Sequence, residues 1–340
     1  MKKMRFLCII GTVVLLAGLG CSAAIAAEKI YFTIGGAGSQ GRWYAEVSCI
    51  AKLLTEKMPN VTASGVVSPG VSRGNINRMA KGELQAGRLM ADDFYAVVHK
   101  LPPFDKGAFP VKAWFKVIRQ PLRVVADISI KNNRDLKGKK IALGVRGSGD
   151  DTIAWRYLNF LGLKEGDVKV QYIGRKEALA AFTNHQVDAV IMSFTRNNQG
   201  YFGPVFAARP YGKSAHFLAP TMEEAKQFSQ QWPCYIVDVY GEPDFGAPDL
   251  IGVTYETIFA IHEKVDEKLA YEMTKIIFDN WDTVVTQALP WFKPESESKK
   301  PGAEKELGAS LQKAMDIPGT TAKDFHPGAL RYYKEKGVAK

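Results

Sequence analysis

The chain has 340 residues, with 45 lysines and arginines against 35 aspartates and glutamates, and a formal net charge of +10. That length is enough for two domains with cores of their own. The positive charge is scattered and forms no Lys/Arg tract interleaved with aromatics, which argues against nucleic acid as a partner.

Taken in chain order, the first feature is a leader. Lys2, Lys3 and Arg5 make a positive start, Phe6 to Leu19 is apolar but short for a bilayer span, and Ala24-Ile25-Ala26 is an A-x-A cleavage site. Residues 1–27 therefore read as a signal peptide, and the mature chain as periplasmic. Losing Lys2, Lys3 and Arg5 lowers the formal charge from +10 to +7. Lipid anchoring at Cys21 is the alternative, but Gly18-Leu19-Gly20-Cys21 is a poor lipobox because Gly18 stands where Leu belongs. Cys49 and Cys234 remain after cleavage. They lie about 185 residues apart, with no CxxC or paired histidine to suggest a metal, and whether they pair or stay free is open.

From Lys29 onward, short β-branched runs alternate with helical periods, the pattern of an α/β protein with mostly parallel sheets. Strands are expected at Ile30–Ile34, Val61–Val67 and Leu84–Met90. Between them fall helices at Arg42–Met58, where Trp43, Val47, Ile50, Leu54 and Met58 share a face, and at Arg73–Lys81. Asp92 is expected to cap the next helix. After Pro102-Pro103 and the apolar run Leu122–Ile130, the pattern repeats. Strands are expected at Lys139–Leu143, Val168–Ile173 and Val187–Ser193, with helices at Asp150–Leu161 and Glu177–Asn184. Ile251–Ile261 reads as another β run. Helices at Lys264–Ala288 and Thr321–Lys336 finish the chain, separated by an exposed loop at Lys293–Pro301.

Two glycine loops carry the chemistry. Gly36-Ala37-Gly38-Ser39-Gln40-Gly41 lies between a strand and a helix and matches the dinucleotide pattern G-x-G-x-x-G. The acid that a dinucleotide site needs at the end of the second strand is missing from Ala63–Gly70. What remains is backbone N–H groups and a positive helix end, a natural seat for a carboxylate; a tight turn that needs glycine is the plain alternative. The second loop runs from Gly144 to Thr152. There Gly147, Ser148 and Gly149 open a helix, with Asp150 and Asp151 either capping it or binding an amine. Arg73 reads as a bidentate carboxylate partner or a surface residue. Arg88, inside a strand, is seldom left unpaired there, and it reads as an edge-facing residue or a ligand anchor. No catalytic constellation appears, and the five histidines are scattered, so no enzyme and no cofactor are indicated.

The first loop with Arg42-Trp43-Tyr44, and the run His326-Pro327-Gly328-Ala329-Leu330-Arg331-Tyr332-Tyr333-Lys334-Glu335-Lys336-Gly337, resemble signatures of the TAXI family, the extracytoplasmic solute receptors of one branch of TRAP transporters. The resemblance spans Lys29 to Gly337. It implies a bilobal clamshell of the type II periplasmic-binding-protein fold, with lobe 1 at 28–120 and 258–340 and lobe 2 at 121–257. Leu122–Ile130 and Ile251–Ile261 would be the hinge strands. It also implies a monomer that delivers a small carboxylate solute, a dicarboxylate or acidic amino acid, to sodium-coupled TRAP permease subunits. A sensor protein for a receptor kinase and a periplasmic enzyme are the alternatives. The expected ligand-binding set is Gly36, Ala37, Gly38, Ser39, Trp43, Tyr44, Arg73, Asn75, Arg88, Asp92, Gly147, Ser148, Gly149, Asp150, Asp151 and Ser193. Asn75 and Asp92 are there as matches to the family's cleft-facing Asn and strand-end Asp. Two departures bear on the ligand: the acids at Asp150 and Asp151, and the bulky Ser193-Phe194-Thr195-Arg196-Asn197-Asn198 where the family often has a small Gly/Pro turn.

Overall fold

The structure is a computed structural model that describes residues 28–39, 41–194, 199–292 and 310–339. The leader with Cys21, Gln40 of the first glycine loop, Thr195–Asn198 and the loop expected at 293–301 lie outside the described residues.

The chain opens with β1 (Ile30–Gly35), α1 (Arg42–Lys57), β2 (Val61–Val66), α2 (Val71–Ala80), β3 (Ala86–Met90) and α3 (Ala91–Val98). The long β4 (Val111–Asp127) leads to β5 (Lys140–Leu143), α4 (Gly149–Phe160), β6 (Lys169–Tyr172), α5 (Arg175–Thr183) and β7 (Ala189–Ser193). There follow α6 (Gln199–Ala208), β8 (Ala215–Phe217), α7 (Met222–Gln231), β9 (Tyr235–Glu242) and a second long strand, β10 (Ala247–His262). The chain ends in α8 (Glu267–Asp279), the short α9 (Thr286–Ala288) and α10 (Pro327–Glu335).

The two expected terminal helices are shorter than their periodicity suggested. A π-helical turn at Trp281–Val285 interrupts the first. The second begins only at Pro327, which lacks the N–H that a helix interior needs; His326 caps it by accepting from Gly328 N at 3.2 Å.

The strands follow the order β2-β1-β3-β10-β4-β7-β5-β6, with β9 beside β10 and β8 beside β4. β2-β1-β3 and β7-β5-β6 are parallel sets. β4 and β10 run antiparallel to each other and to their neighbours, and join the two sets. This is the α/β periplasmic-binding-protein fold. Pro121 marks the place where β4 changes partners: β10 up to Pro121, then β7 from Leu122. A proline has no ladder N–H to lose, so it fits a position where pairing switches.

One hydrophobic core gathers residues between Phe32 and Ile118 with residues between Ile258 and Tyr333. Two others are built from Leu122 to Tyr255, with Met90 the one outsider. We call the half around the first core lobe 1 and the half around the others lobe 2.

The crossing strands are charged inside. Lys116, Arg119 and Arg123 of β4 are nearly fully buried. Lys116 Nζ lies 3.3 Å and Arg119 Nη2 2.7 Å from Glu256 Oε1, and Arg123 Nη2 lies 2.6 Å from Glu242 Oε1. The two cysteines among the described residues are free thiols, Cys49 half-buried and Cys234 buried. Among the described residues no helix is long and apolar enough to cross a membrane.

Candidate functional site

A cleft of about 700 Å³ opens between the lobes. Lobe 1 lines it with Ala37, Gly38, Gly41, Arg42, Trp43, Val71 and Met90, and the crossing strands contribute Gln120 and Tyr255. Lobe 2 contributes Ser148, Gly149 and Asp150 from the second glycine loop, Gly174 to Glu177 from the start of α5, and Phe194 and Tyr201. The volume falls within the ~300–1,000 Å³ usual for small-molecule sites. Strand ends of the two parallel sets face it, where open α/β sheets place their ligands.

Of the residues expected from sequence, Ala37, Gly38, Trp43, Ser148, Gly149 and Asp150 reach this cleft. The first glycine loop does so because α1 begins at Gly41, which has no side-chain cap, and the first turn of α1 carries no acid. Its positive end is therefore not neutralised from within the helix. Gly38 has open space where a Cβ would stand, whereas a Cβ on Gly36 would come within 3.0 Å of Tyr44 Cα and Val47 Cγ2. Gly36 thus lets α1 pack against its own loop, and Gly38 faces outward. Gly36, Ser39 and Tyr44 do not line the cleft.

Several other expected site residues turn out to hold the framework together. Asn75 is fully buried and donates to the carbonyls of Gly35, Gly36 and Arg88 at 2.8–3.1 Å, tying α2 to the ends of β1 and β3. Arg88 is also fully buried, so it is neither an edge residue nor a ligand anchor. Its Nε donates to Glu46 at 2.5 Å, and its other nitrogens donate to Ile258 O and Thr257 Oγ1. It also lies 4.8 Å from the ring centre of Trp43, a cation–π contact that supports the ring lining the cleft. Arg73 donates to Asp93 at 3.3 Å.

Asp92 does not cap α3. It is the second residue of that helix, whose N-cap is Met90. Its carboxylate is fully buried and reaches into lobe 2, accepting from Arg156 Nη1 at 2.5 Å and from Tyr235 OH at 2.7 Å. Asp93 beside it is buried too, with Oδ2 lacking a hydrogen-bond partner. Burial and neighbouring Asp92 push its pKa up to about 6. Gly149 makes a second contact between the lobes. A Cβ there would overlap Met90 Sδ, at 1.5 Å.

On the lobe 2 side, Ser148 caps α4 by accepting from Asp151 N. Asp151 accepts from Gly147 N at 2.8 Å, and burial raises its pKa above the usual carboxylate range. Gly147 and Asp151 lie outside the cleft lining. Asp150 neither caps the helix nor stands ready for an amine. Arg175 grips it with two hydrogen bonds of 2.9 and 3.0 Å, and the N–H and hydroxyl of Ser193 both donate to its Oδ1. Ser193 is itself buried beneath the cleft and accepts from Tyr255 OH at 2.6 Å.

Sequence reading missed Arg42, Gln120, Arg175, Lys176, Tyr201 and Tyr255. Arg175 and Lys176 had a signal, since they lie between the end of an expected strand at Ile173 and an expected helix start at Glu177 in lobe 2.

The sequence profile of the NMT1-like family matches residues 34–337, nearly the whole chain. The chain belongs to the NMT1-like family. Among solved structures, XAC2383 from Xanthomonas citri bound to ATP is similar at 11% identity. It covers 91% of this chain and 96% of that one, with a TM-score of 0.56. The alkanesulfonate-binding protein SsuA from Xanthomonas axonopodis pv. citri bound to MOPS is 16% identical, covering 78% of this chain and 80% of its own with a TM-score of 0.43. At these identities the likeness concerns the fold alone.

Proposed function

We propose that this protein is a periplasmic solute receptor that captures a carboxylate-bearing small molecule between its lobes and hands it to a membrane permease. One observation carries the reading: the cleft is lined from both lobes and from β4 and β10, the two strands that join them. A solute bound there contacts both halves, so it favours the state in which they are closed. On this reading the lobes are 28–120 with 258–340 and 121–257, and the crossing strands are the hinge. The glycine-loop and C-terminal signatures favour a TAXI-type receptor and a sodium-coupled TRAP permease as its partner.

The chemistry of the lining suits binding rather than turnover. The half-buried acid at the cleft, Asp150, is held by Arg175 and Ser193 and stands next to no nucleophile–base pair among the described residues. The test is native mass spectrometry of freshly purified protein, followed by a thermal-shift screen of organic acids. A retained organic acid, or one that raises the melting temperature, supports the reading; a ligand at 100-fold over its Kd adds about 2.7 kcal/mol. No acid bound in either assay, or conversion of a bound acid to product, overturns it.

A further inference from the structure

Resting on the receptor reading, we propose that Arg175 is the lobe 2 anchor for an oxyanion of the solute, and that Asp150 and Ser193 are positioning residues that hold its guanidinium for that contact. Arg175 is the first residue of α5 and lines the cleft. Asp150 lies in the first turn of α4, and Ser193 is the last residue of β7. Three elements of lobe 2 thus meet at one guanidinium. Arg175 Nε donates to Asp150 Oδ2 at 2.9 Å, while Nη2 donates to Asp150 Oδ1 at 3.0 Å and to Ser193 Oγ at 3.2 Å. A two-pronged pair of this kind fixes the plane of the guanidinium as well as its distance. Asp150 is fixed in turn, since the N–H of Ser193 donates to Oδ1 at 3.1 Å and the Ser193 hydroxyl donates to the same atom. Gly144 leaves the room this needs: a Cβ there would stand 2.4 Å from Asp150 Cβ.

Nη1 is the nitrogen left over. It has no hydrogen-bond partner among the described residues, so it is a charge-assisted donor already held in place. Of the pair, the guanidinium is the more open, 31% exposed against 14% for the carboxylate. The donor, rather than the acid, is therefore what a solute meets. Charge alone would not make this an anion site, because Asp150 and Glu177 balance Arg175 and Lys176 in the lobe 2 lining. Direction does: an unspent donor stands beside the start of α5, where Gly174 supplies no side-chain cap. Across the cleft, Arg42 and the open start of α1 form a second positive locus. The Arg175 anchor accounts for one oxyanion, and a solute with one acidic group or two fits it.

The two parts that Asp150 could play predict opposite signs. A carboxylate that acted only by its charge would repel an anion, and removing it would tighten binding. A carboxylate that positions Arg175 must weaken binding when it is lost, because a loose guanidinium has to be ordered at each binding event. Ser193 offers an independent probe of the same role. It is fully buried and lies outside the cleft lining, so it acts on a solute only through Asp150 and Arg175 or through Tyr255, whose hydroxyl donates to it.

The test is calorimetry on the mature protein, stripped of bound solute by unfolding and refolding, with four probes: phenylacetate, benzenesulfonate, succinate and L-glutamate. The probe that wild type binds tightest is then titrated into the variants. Arg175→Gln should weaken it about ten- to a hundredfold, the loss of one charged hydrogen bond. Asp150→Asn should weaken it about tenfold, although it removes a negative charge from the cleft. The double variant should bind no worse than Arg175→Gln alone, because both changes act through one guanidinium. Ser193→Ala should weaken the probe about threefold. Unchanged binding by Arg175→Gln overturns the anchor. Tighter or unchanged binding by Asp150→Asn, or losses that add in the double variant, overturns the positioning role. If Asp150→Asn fails to fold, Ser193→Ala decides, and unchanged binding by it overturns that role. The receptor reading stands in each of these cases. If none of the four probes binds wild type, the inference falls, and the receptor reading falls with it only if native mass spectrometry also finds no retained acid.

Discussion

At the scale of single residues, the two glycines of the first loop have different roles. Gly38→Val should leave unfolding stability within about 0.5 kcal/mol of wild type and lower ligand affinity, because its side chain would project into open cleft. Gly36→Val should instead cost about 1–3 kcal/mol by wedging against Tyr44 and Val47. Urea unfolding with calorimetry separates the two, and equal destabilisation by both would mean the loop is only a turn. Asp93 supplies a pH signature. Its pKa is raised to about 6 by burial and Asp92, so its stabilising contribution is full below the ordinary 3.8 and fades as pH rises through about 6. Acidifying from about pH 7.5 to about pH 5 should therefore raise the wild-type melting temperature relative to Asp93→Asn; identical pH profiles would remove Asp93 from that role. The glycine loops and Trp43 were legible because close backbone approach leaves a local pattern. The fates of Arg88, Asp92 and Asp150 were not. Their partners are Glu46, Arg156 and Arg175, which lie 42, 64 and 25 positions away, and only the fold decides which charges meet.

At the scale of elements, the alternation of strand and helix was readable from β1 to α3 and from β5 to β7, whereas α6, β8, α7 and β9 were not expected from sequence. The first half of β4 was not expected either, because Lys116, Arg119, Gln120 and Pro121 break the apolar run. Each charge is matched by an acid on a neighbouring strand, a pairing that leaves no mark in the local pattern. The contacts between α3 and lobe 2 lead to two expectations. Asp92→Asn leaves Arg156 buried without its charge partner and should cost about 3–5 kcal/mol of stability, read by urea unfolding; a loss under 1 kcal/mol would mean the pair contributes little. Gly149→Val would collide with Met90 and should hold the lobes apart, raising the radius of gyration. Adding Met90→Ala should reverse that change, and no reversal would place the strain elsewhere.

For the whole molecule, two lobes were legible from the repeated βαβαβ series, and their interleaving from the family resemblance; of the two expected hinge runs, one overlaps the C-terminal end of β4 and the other makes up most of β10. The central claim is that these strands are a hinge and that a solute in the cleft draws the lobes together. Small-angle scattering of the mature protein, free and saturated with the tightest binder among phenylacetate, benzenesulfonate, succinate and L-glutamate, tests it most directly. The account predicts a smaller radius of gyration in the saturated sample. An unchanged radius at full occupancy would describe a rigid body and contradict it.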